Sequence, residues 1–394
     1  MRALFPLLAL VSATTAMLVS GAQLTPDSQI CRYGACPYEQ LMTAIEQRGT
    51  TAAGLAALLE QDASNPLMWS AYAEYLAGRG DVEQADWAFQ QAEAVGGGIA
   101  PVLTRIANFA FTHGQLATGR RVTPRILEQT SDYDEILFSY LEMPGTPVSE
   151  LLGSAIPASP RPARAWLAWM RDHAEPADVV TTWEWMQSAK LTDEKSASET
   201  VRALWANKAY DAARTIWTSF AGADWYTAGN LLANASFERE SSNIPLDWDL
   251  SARPGVEFVR NNGLDVRFAG TDNVVDAGVA QQALVEPGFY RLRADISATN
   301  ISTDQGLFFQ VTDAEDPARL TLQTAPVVGT VDRSTLELDV RVPAETRVLR
   351  VRLLRTASLR FDNKLSGVLH VHRVELVPVL DPPRAVASAS KHRS

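Results

Sequence analysis

The chain is predicted to be an N-terminal α-solenoid followed by a C-terminal β-sandwich. Three observations predict this. From Tyr38 to Ala221 apolar residues recur with helical period, in segments separated by short polar breaks. After Asn230 apolar and polar residues alternate with a period of two, the pattern of half-buried strands. The length, 394 residues, exceeds what one hydrophobic core usually serves, and 46% hydrophobic residues are enough for two.

The helical half is clearest between Pro66 and Ala94. Trp69, Tyr72, Ala73, Leu76, Gly80, Ala85, Phe89 and Ala92 form a large–small–large series over two helices. Small residues let two helices approach closely, and large ones fill the gap to the next pair. Pro66 opens the first helix and Gly80-Asp81 makes the turn. The pattern repeats: Pro101 follows Pro66 by 35 residues and Gly114 follows Gly80 by 34. A later echo is Val201 to Trp217, with Ala209-Tyr-Asp-Ala-Ala213 as turn and second helix. About six hairpins are expected, with an irregular stretch from Pro144 to Pro162. This series resembles the tetratricopeptide repeat, whose arrays present a concave surface to peptides and proteins. The competing reading is a stalk or packing platform. Trp69, Trp87, Trp166, Trp169, Trp183 and Trp185 are expected in the core.

Formal net charge is −11, which argues against nucleic acid as a partner. Residues 230–394 hold 19 basic and 21 acidic residues, leaving 16 and 25 to the rest. The acidity therefore lies in the helical half, where it suits a basic partner segment or a solvated face equally.

Residues 1–22 read as a secretory signal. Arg2 supplies a basic start, Ala3 to Val19 an apolar run, and Ser20-Gly21-Ala22 a cleavage site, which implies a periplasmic or secreted protein. An uncleaved membrane anchor through residues 3–19 is the alternative, although the run is short for a span. Cys31 and Cys36 are the two cysteines, spaced to close a small disulfide loop around Gly34. A metal site would need further ligands nearby, and a redox pair favours a shorter spacing.

In the β half, Tyr290, Leu292, Ala294 and Ile296 oppose Arg291, Arg293 and Asp295. Leu336, Leu338, Val340 and Val342 oppose Glu337, Asp339 and Arg341, and Leu349, Val351 and Leu353 oppose Arg350 and Arg352. Breaks at Glu286-Pro-Gly288 and Ala314 to Pro317 separate strands, and nine or ten strands imply two facing sheets. Residues 23–227 form the helical domain on this reading, 228–380 the sandwich, and 381–394 a disordered tail.

Asn230 to Glu238, Pro245-Leu-Asp-Trp248, Pro287 to Leu292 and Gly367 to Leu376 resemble the galactose-binding-like jelly roll of secreted carbohydrate-binding modules. The resemblance makes 228–238 the entry strand. It also implies a structural calcium at Glu238, but His372-Arg373 stand on the last strand where acidic residues are expected. No other cofactor is implied. Trp248 is a candidate sugar-stacking platform, with a packing role inside the sandwich as the alternative. Arg291, Arg293, Arg350 and Arg352 are candidates for a basic sheet face that binds an anionic glycan. The alternative is cross-strand pairing with Asp295, Glu337 and Asp339. His370 and His372 share one face, a spacing that can ligate zinc if a third ligand exists.

Neither a G-x-S-x-G elbow, a P-loop nor an H-E-x-x-H helix occurs in the sequence. Gly96-Gly97-Gly98 reads as a linker. The expectation is an exported non-enzymatic adaptor: the repeats bind a protein partner, and the jelly roll binds a polysaccharide or docks on protein. Chains of this organisation resemble accessory proteins of bacterial exopolysaccharide export. The other readings are a structural assembly factor and a glycan-active enzyme.

Overall fold

The computed structural model describes residues 37–46, 51–96, 98–142, 145–222 and 225–379. The signal segment 1–22, Cys31, Cys36 and the tail 381–394 lie outside these residues. Two compact units make up the chain, Met1–Leu191 and Thr192–Ser394. The boundary falls one hairpin before the change from helix to strand.

In the first unit, α1 (Pro37–Glu46) and α2 (Ala52–Leu59) precede the best-formed hairpin, α3 (Pro66–Gly78) and α4 (Val82–Gly96). Asn65 caps α3 by accepting from the Leu67 N–H at 3.0 Å, with Pro66 at the first turn. Ala73, Ala85 and Ala92 are fully buried, and Gly80 makes the turn at φ +84°. α5 (Ala100–Thr112) and α6 (Leu116–Leu127) form the next hairpin. Glu93 of α4 ties the two hairpins together, accepting from Arg121 at 2.6 and 2.7 Å and from Arg125 at 2.8 Å. Then come α7 (Asp134–Leu141), the four-residue α8 (Val148–Leu151), α9 (Pro160–His173) and α10 (Pro176–Ser188). Arg161 of α9 reaches back to Asp134 at 2.6 Å and to the Leu127 and Thr130 carbonyls. Trp166 and Trp183 are fully buried, as expected. Trp87 departs from expectation: it is 51% exposed, edge-on to Trp69 at 5.4 Å. The period of an amphipathic helix locates its apolar stripe, but Trp87 lies beside that stripe and rests on its neighbour.

The second unit opens with the hairpin α11 (Glu194–Ala206) and α12 (Tyr210–Ala221). Ten antiparallel strands follow in two sheets, a jelly-roll sandwich. One sheet has the order β1 (Asp249–Leu250), β4 (Asp276–Leu284), β9 (Val348–Arg355), β6 (Leu307–Asp313), β7 (Thr321–Gln323). The other has the order β2 (Val256–Arg260), β3 (Leu264–Ala269), β10 (Ser366–Pro378), β5 (Gly288–Ile301), β8 (Gly329–Val342). Their inner faces share one core that includes Leu292, Ala294, Ile296, Leu349, Val351 and Leu353, all fully buried. Burying each leucine, isoleucine or valine of this set contributes about 1.5–3 kcal/mol.

Residues 228–238, expected as an entry strand, are irregular. Asn234 and Phe237 have φ of +49° and +55°, which breaks the extended course. The segment nevertheless runs beside β10 where β3 has ended. The Leu231 N–H donates to the Leu376 carbonyl at 2.9 Å, and Asn230 Oδ1 accepts from the Leu376 N–H at 2.8 Å. An asparagine side chain thus substitutes for a strand's backbone.

α11 and α12 are joined to the sandwich by side chains. Trp205 Nε1 donates to Gln282 Oε1 at 2.9 Å, and the Tyr210 hydroxyl donates to Glu315 at 2.7 Å. Lys208 pairs with Glu315 at 3.3 Å, and Asp211 pairs with Arg347 at 2.9 Å.

Candidate ligand-binding surfaces

The four arginines nominated from sequence do not meet. Arg291 and Arg293 lie on β5, Arg350 and Arg352 on β9, and these strands belong to different sheets. All four point outward, so they stand on opposite sides of the sandwich. A period of two fixes which way a side chain points relative to its own strand, and says nothing of which sheet the strand joins. No single basic face of four arginines forms.

The face carrying Arg291 and Arg293 is neutralised. Arg291 donates to Asp339 at 2.7 Å and Arg293 to Glu337 at 3.0 Å, each across the β5–β8 register. Arg333 pairs with Asp295, Arg373 with Glu375 and Arg267 with Asp265. His370 Nδ1 is hydrogen-bonded to Asp265. Burial alone would raise the Asp265 pKa, but the hydrogen bonds from His370 and Arg267 outweigh it and hold the carboxylate below its usual range.

His372 lies on the same face, its ring 4.1 Å from that of His370 and its Nε2 3.2 Å from Ser297 Oγ. Among the described residues no group of three His, Cys, Asp or Glu side chains is placed to hold a metal ion, so the pair lacks the third ligand zinc needs. Burial first, then the charges of His370 and Arg333, lower the His372 pKa. The unfolded chain therefore binds this proton more readily than the folded one. The resulting stability is fully present above the unfolded value of about 6.5 and is lost as pH falls through the folded one. His372→Gln is expected to flatten the dependence of the sandwich's urea midpoint on pH below about 6.5. An unchanged slope would remove His372 as its source.

The face carrying Arg350 and Arg352 is different. Arg350 stands opposite Gln282 of β4 and Thr312 of β6, and Arg352 opposite Ala280 and Gln310. Arg352 Nη2 donates to Gln310 Oε1 at 3.0 Å. Among the described residues neither arginine forms an ion pair with a carboxylate. The result is a patch of two uncompensated guanidinium groups among amides and a threonine. Sequence reasoning missed Gln282 and Gln310, because cross-strand register is invisible without knowing the pairing.

Trp248 is fully buried. Its Nε1 donates to the Asn234 carbonyl at 3.1 Å, and its ring lies 4.8 Å from Phe237. It cannot stack on a sugar; it fills the core. Glu238 is exposed, and no metal-holding carboxylate group exists among the described residues. At the position on β10 where the calcium would need an acid, Arg373 is bonded to Glu375 and Thr227. These residues do not fit the expected calcium, since hard Ca²⁺ requires several oxygen ligands.

In the first unit a cavity of about 370 Å³ lies between α4, α5 and α6. Phe89, Ile106 and Phe109, all buried, line it together with Asp86, Gln90 and Gln115. An apolar base with a polar margin is the usual make-up of a pocket for a side chain. Among the described residues no helix is long and apolar enough to cross a membrane.

No family model matches the sequence, and no curated protein matches it. Three solved structures similar to parts of the chain are the module TmCBM61 in complex with beta-1,4-galactotriose, at 15% identity and TM-score 0.27, covering 38% of this chain and 99% of that one; Pseudomonas aeruginosa pilF, at 18% identity and TM-score 0.25, covering 46% and 88%; and YrrB, described as a TPR protein with an unusual peptide-binding site, at 8% identity and TM-score 0.24, covering 42% and 90%.

Proposed function

We propose that this chain is an exported, non-enzymatic adaptor that holds a glycan on the outer face of β4, β9 and β6 and a protein partner on its helical repeats. The observation that carries the reading is the contrast between the two outer faces. One is a lattice of matched ion pairs. The other leaves Arg350 and Arg352 without a carboxylate, beside Gln282 and Gln310. Unpaired guanidinium groups on an ordered sheet are available to a ligand, whereas paired ones must first lose their partner. The pocket lined by Phe89, Ile106 and Phe109 supports a peptide-binding role for the repeats. The setting we assign is the assembly or export of an exopolysaccharide, outside the cytoplasm. It is supported by the signal-like residues 1–22 and by the order of the two parts, helical repeats followed by a jelly roll, which resembles that of accessory proteins of this process.

A glycan array probed with the full chain tests this. Wild type is expected to bind at least one polysaccharide. Arg350→Ala with Arg352→Ala should weaken that binding by tenfold or more, roughly the effect of losing charge-assisted hydrogen bonds. Arg291→Ala with Arg293→Ala should leave it unchanged. Absence of binding across the array would replace this reading with protein–protein assembly alone.

A further inference from the structure

The glycan-facing patch has a hydrogen-bonding polarity that its geometry fixes. An indole N–H can only donate, so the bond from Trp205 Nε1 to Gln282 at 2.9 Å occupies the amide oxygen. Gln282 must then present its NH₂ away from Trp205. A guanidinium can only donate as well, so Arg352 Nη2 occupies the oxygen of Gln310, and Gln310 likewise presents NH₂. Arg350, directly opposite Gln282, contributes donors alone. Arg352 Nε is buried without a hydrogen-bond partner, so this guanidinium meets a ligand only through its Nη groups. Thr312, opposite Arg350, carries the one hydroxyl of the central row and is 4% exposed.

A sugar hydroxyl both donates and accepts. Laid on a surface of donors, it leaves its own hydrogen without an acceptor, at a cost near that of an unmade hydrogen bond. A carboxylate accepts only, through two oxygens with about four lone-pair sites, and matches paired guanidinium donors. We infer that the ligand is an acidic polysaccharide bearing carboxylates, a polyuronate, and that Trp205 on the helical hairpin is a specificity-determining residue that fixes the orientation of Gln282. Specificity is thereby shared between the helices and the sheet. Trp205 is 7% exposed and acts through Gln282, so it is a positioning residue. The inference rests on the glycan reading of this face and adds the class of ligand and the part played by the hairpin.

The test compares binding of the full chain to sodium polygalacturonate, to the same polymer fully methyl-esterified, and to neutral galactan. The esterified polymer keeps the sugar backbone and loses the anion. The acid form is expected to bind tenfold or more tightly than either neutral polymer. Trp205→Phe removes the indole N–H and frees the Gln282 amide to turn its oxygen outward. It should reduce the acid-to-ester preference about three- to tenfold, the effect of one hydrogen bond. Because Trp205 is packed, Gln282→Glu provides a second variant. The indole keeps an acceptor, the fold is retained, and a negative charge enters beside Arg350. This variant should lose most binding to polygalacturonate. If the esterified polymer binds as well as the acid, or if both variants keep the wild-type preference, the inference fails while glycan binding stands. If wild type binds none of the three polymers nor any glycan on the array, the functional reading itself fails.

Discussion

Arg355→Leu is expected to lower the stability of the sandwich by roughly 3–5 kcal/mol, the combined cost of several buried and half-buried acceptors losing their donor at once. Arg355 is 1% exposed and uses all five of its N–H donors. Nε donates to the Gln305 carbonyl at 3.1 Å. Nη1 donates to Asn273 Oδ1 at 3.0 Å and to the Val274 carbonyl at 2.7 Å. Nη2 donates to Thr303 Oγ1 at 3.2 Å and to the Asn363 carbonyl at 3.1 Å. Three loops at one end of the sandwich, β3–β4, β5–β6 and β9–β10, therefore converge on one side chain. Leucine fills much of the volume, leaves the buried Val274 carbonyl without this donor, and takes a donor from the half-buried Gln305 and Asn363 carbonyls. Lysine keeps the charge but offers three donors from a point instead of a planar fork, so Arg355→Lys should recover only part of the loss. Segment-resolved hydrogen exchange is the suitable measurement, because a chain of two units need not unfold in one step. Protection should fall first at 272–275, 303–305 and 358–365. A loss below about 1 kcal/mol, the worth of a single ordinary hydrogen bond, would show that the loops do not depend on this residue.

Arg355 illustrates what sequence periodicity does and does not carry. Alternation along β9 puts Leu349, Val351 and Leu353 inside and Arg350 and Arg352 outside, and burial agrees. The same parity places residue 355 with the inside set. A lone arginine in that position signals a hub only once its partners are known, and these lie 8 to 82 residues away. Local physics was legible in this chain: the helix start at Pro66, the small residues at helix contacts, and the inward and outward sides of strands; the helix that begins at Pro160 was not, because the prolines from 144 to 162 read as an irregular stretch. Long-range pairing was not. Consecutive strands of a jelly roll cross between sheets, so β8 and β9 read alike in sequence yet present Glu337 and Arg350 to opposite sides of the molecule.

The same limit explains the candidate site. Arg350 and Arg352 were visible as outward-facing bases, but their freedom from carboxylates is a property of β4 and β6, fixed by register. Gln282 acquires its orientation from Trp205, 77 residues earlier. Nothing in the amphipathic pattern of α11 marks Trp205 as different from a core tryptophan. The helical hairpin thus belongs with the sandwich chemically as well as by its contacts, and residues 192–227 are expected to be needed for the ligand preference.

Trp248→Ala should be the other severe substitution, costing about 3–5 kcal/mol for a large aromatic removed from a closed core. The side chain is fully buried in the cluster that includes Leu232 and Phe237. Its backbone N–H donates to Asp247 Oδ1 at 2.7 Å, and that carboxylate also accepts from the Ser242 N–H and hydroxyl, both at 2.8 Å. The tryptophan therefore anchors the irregular stretch 234–248 through both its ring and its backbone. Trp248→Phe keeps most of the ring and leaves the Asn234 carbonyl without its indole donor, a cost of about 1–3 kcal/mol. The two possible roles of this residue separate cleanly on that variant. A packing residue loses stability while the folded protein keeps the glycan affinity proposed above, since Trp248 has no exposed surface with which to touch a sugar. A stacking platform would lose affinity with little change in stability. Titration of Trp248→Phe with polygalacturonate, well below its unfolding temperature, should return the wild-type affinity; a tenfold weaker value at unchanged stability would place a sugar against this ring.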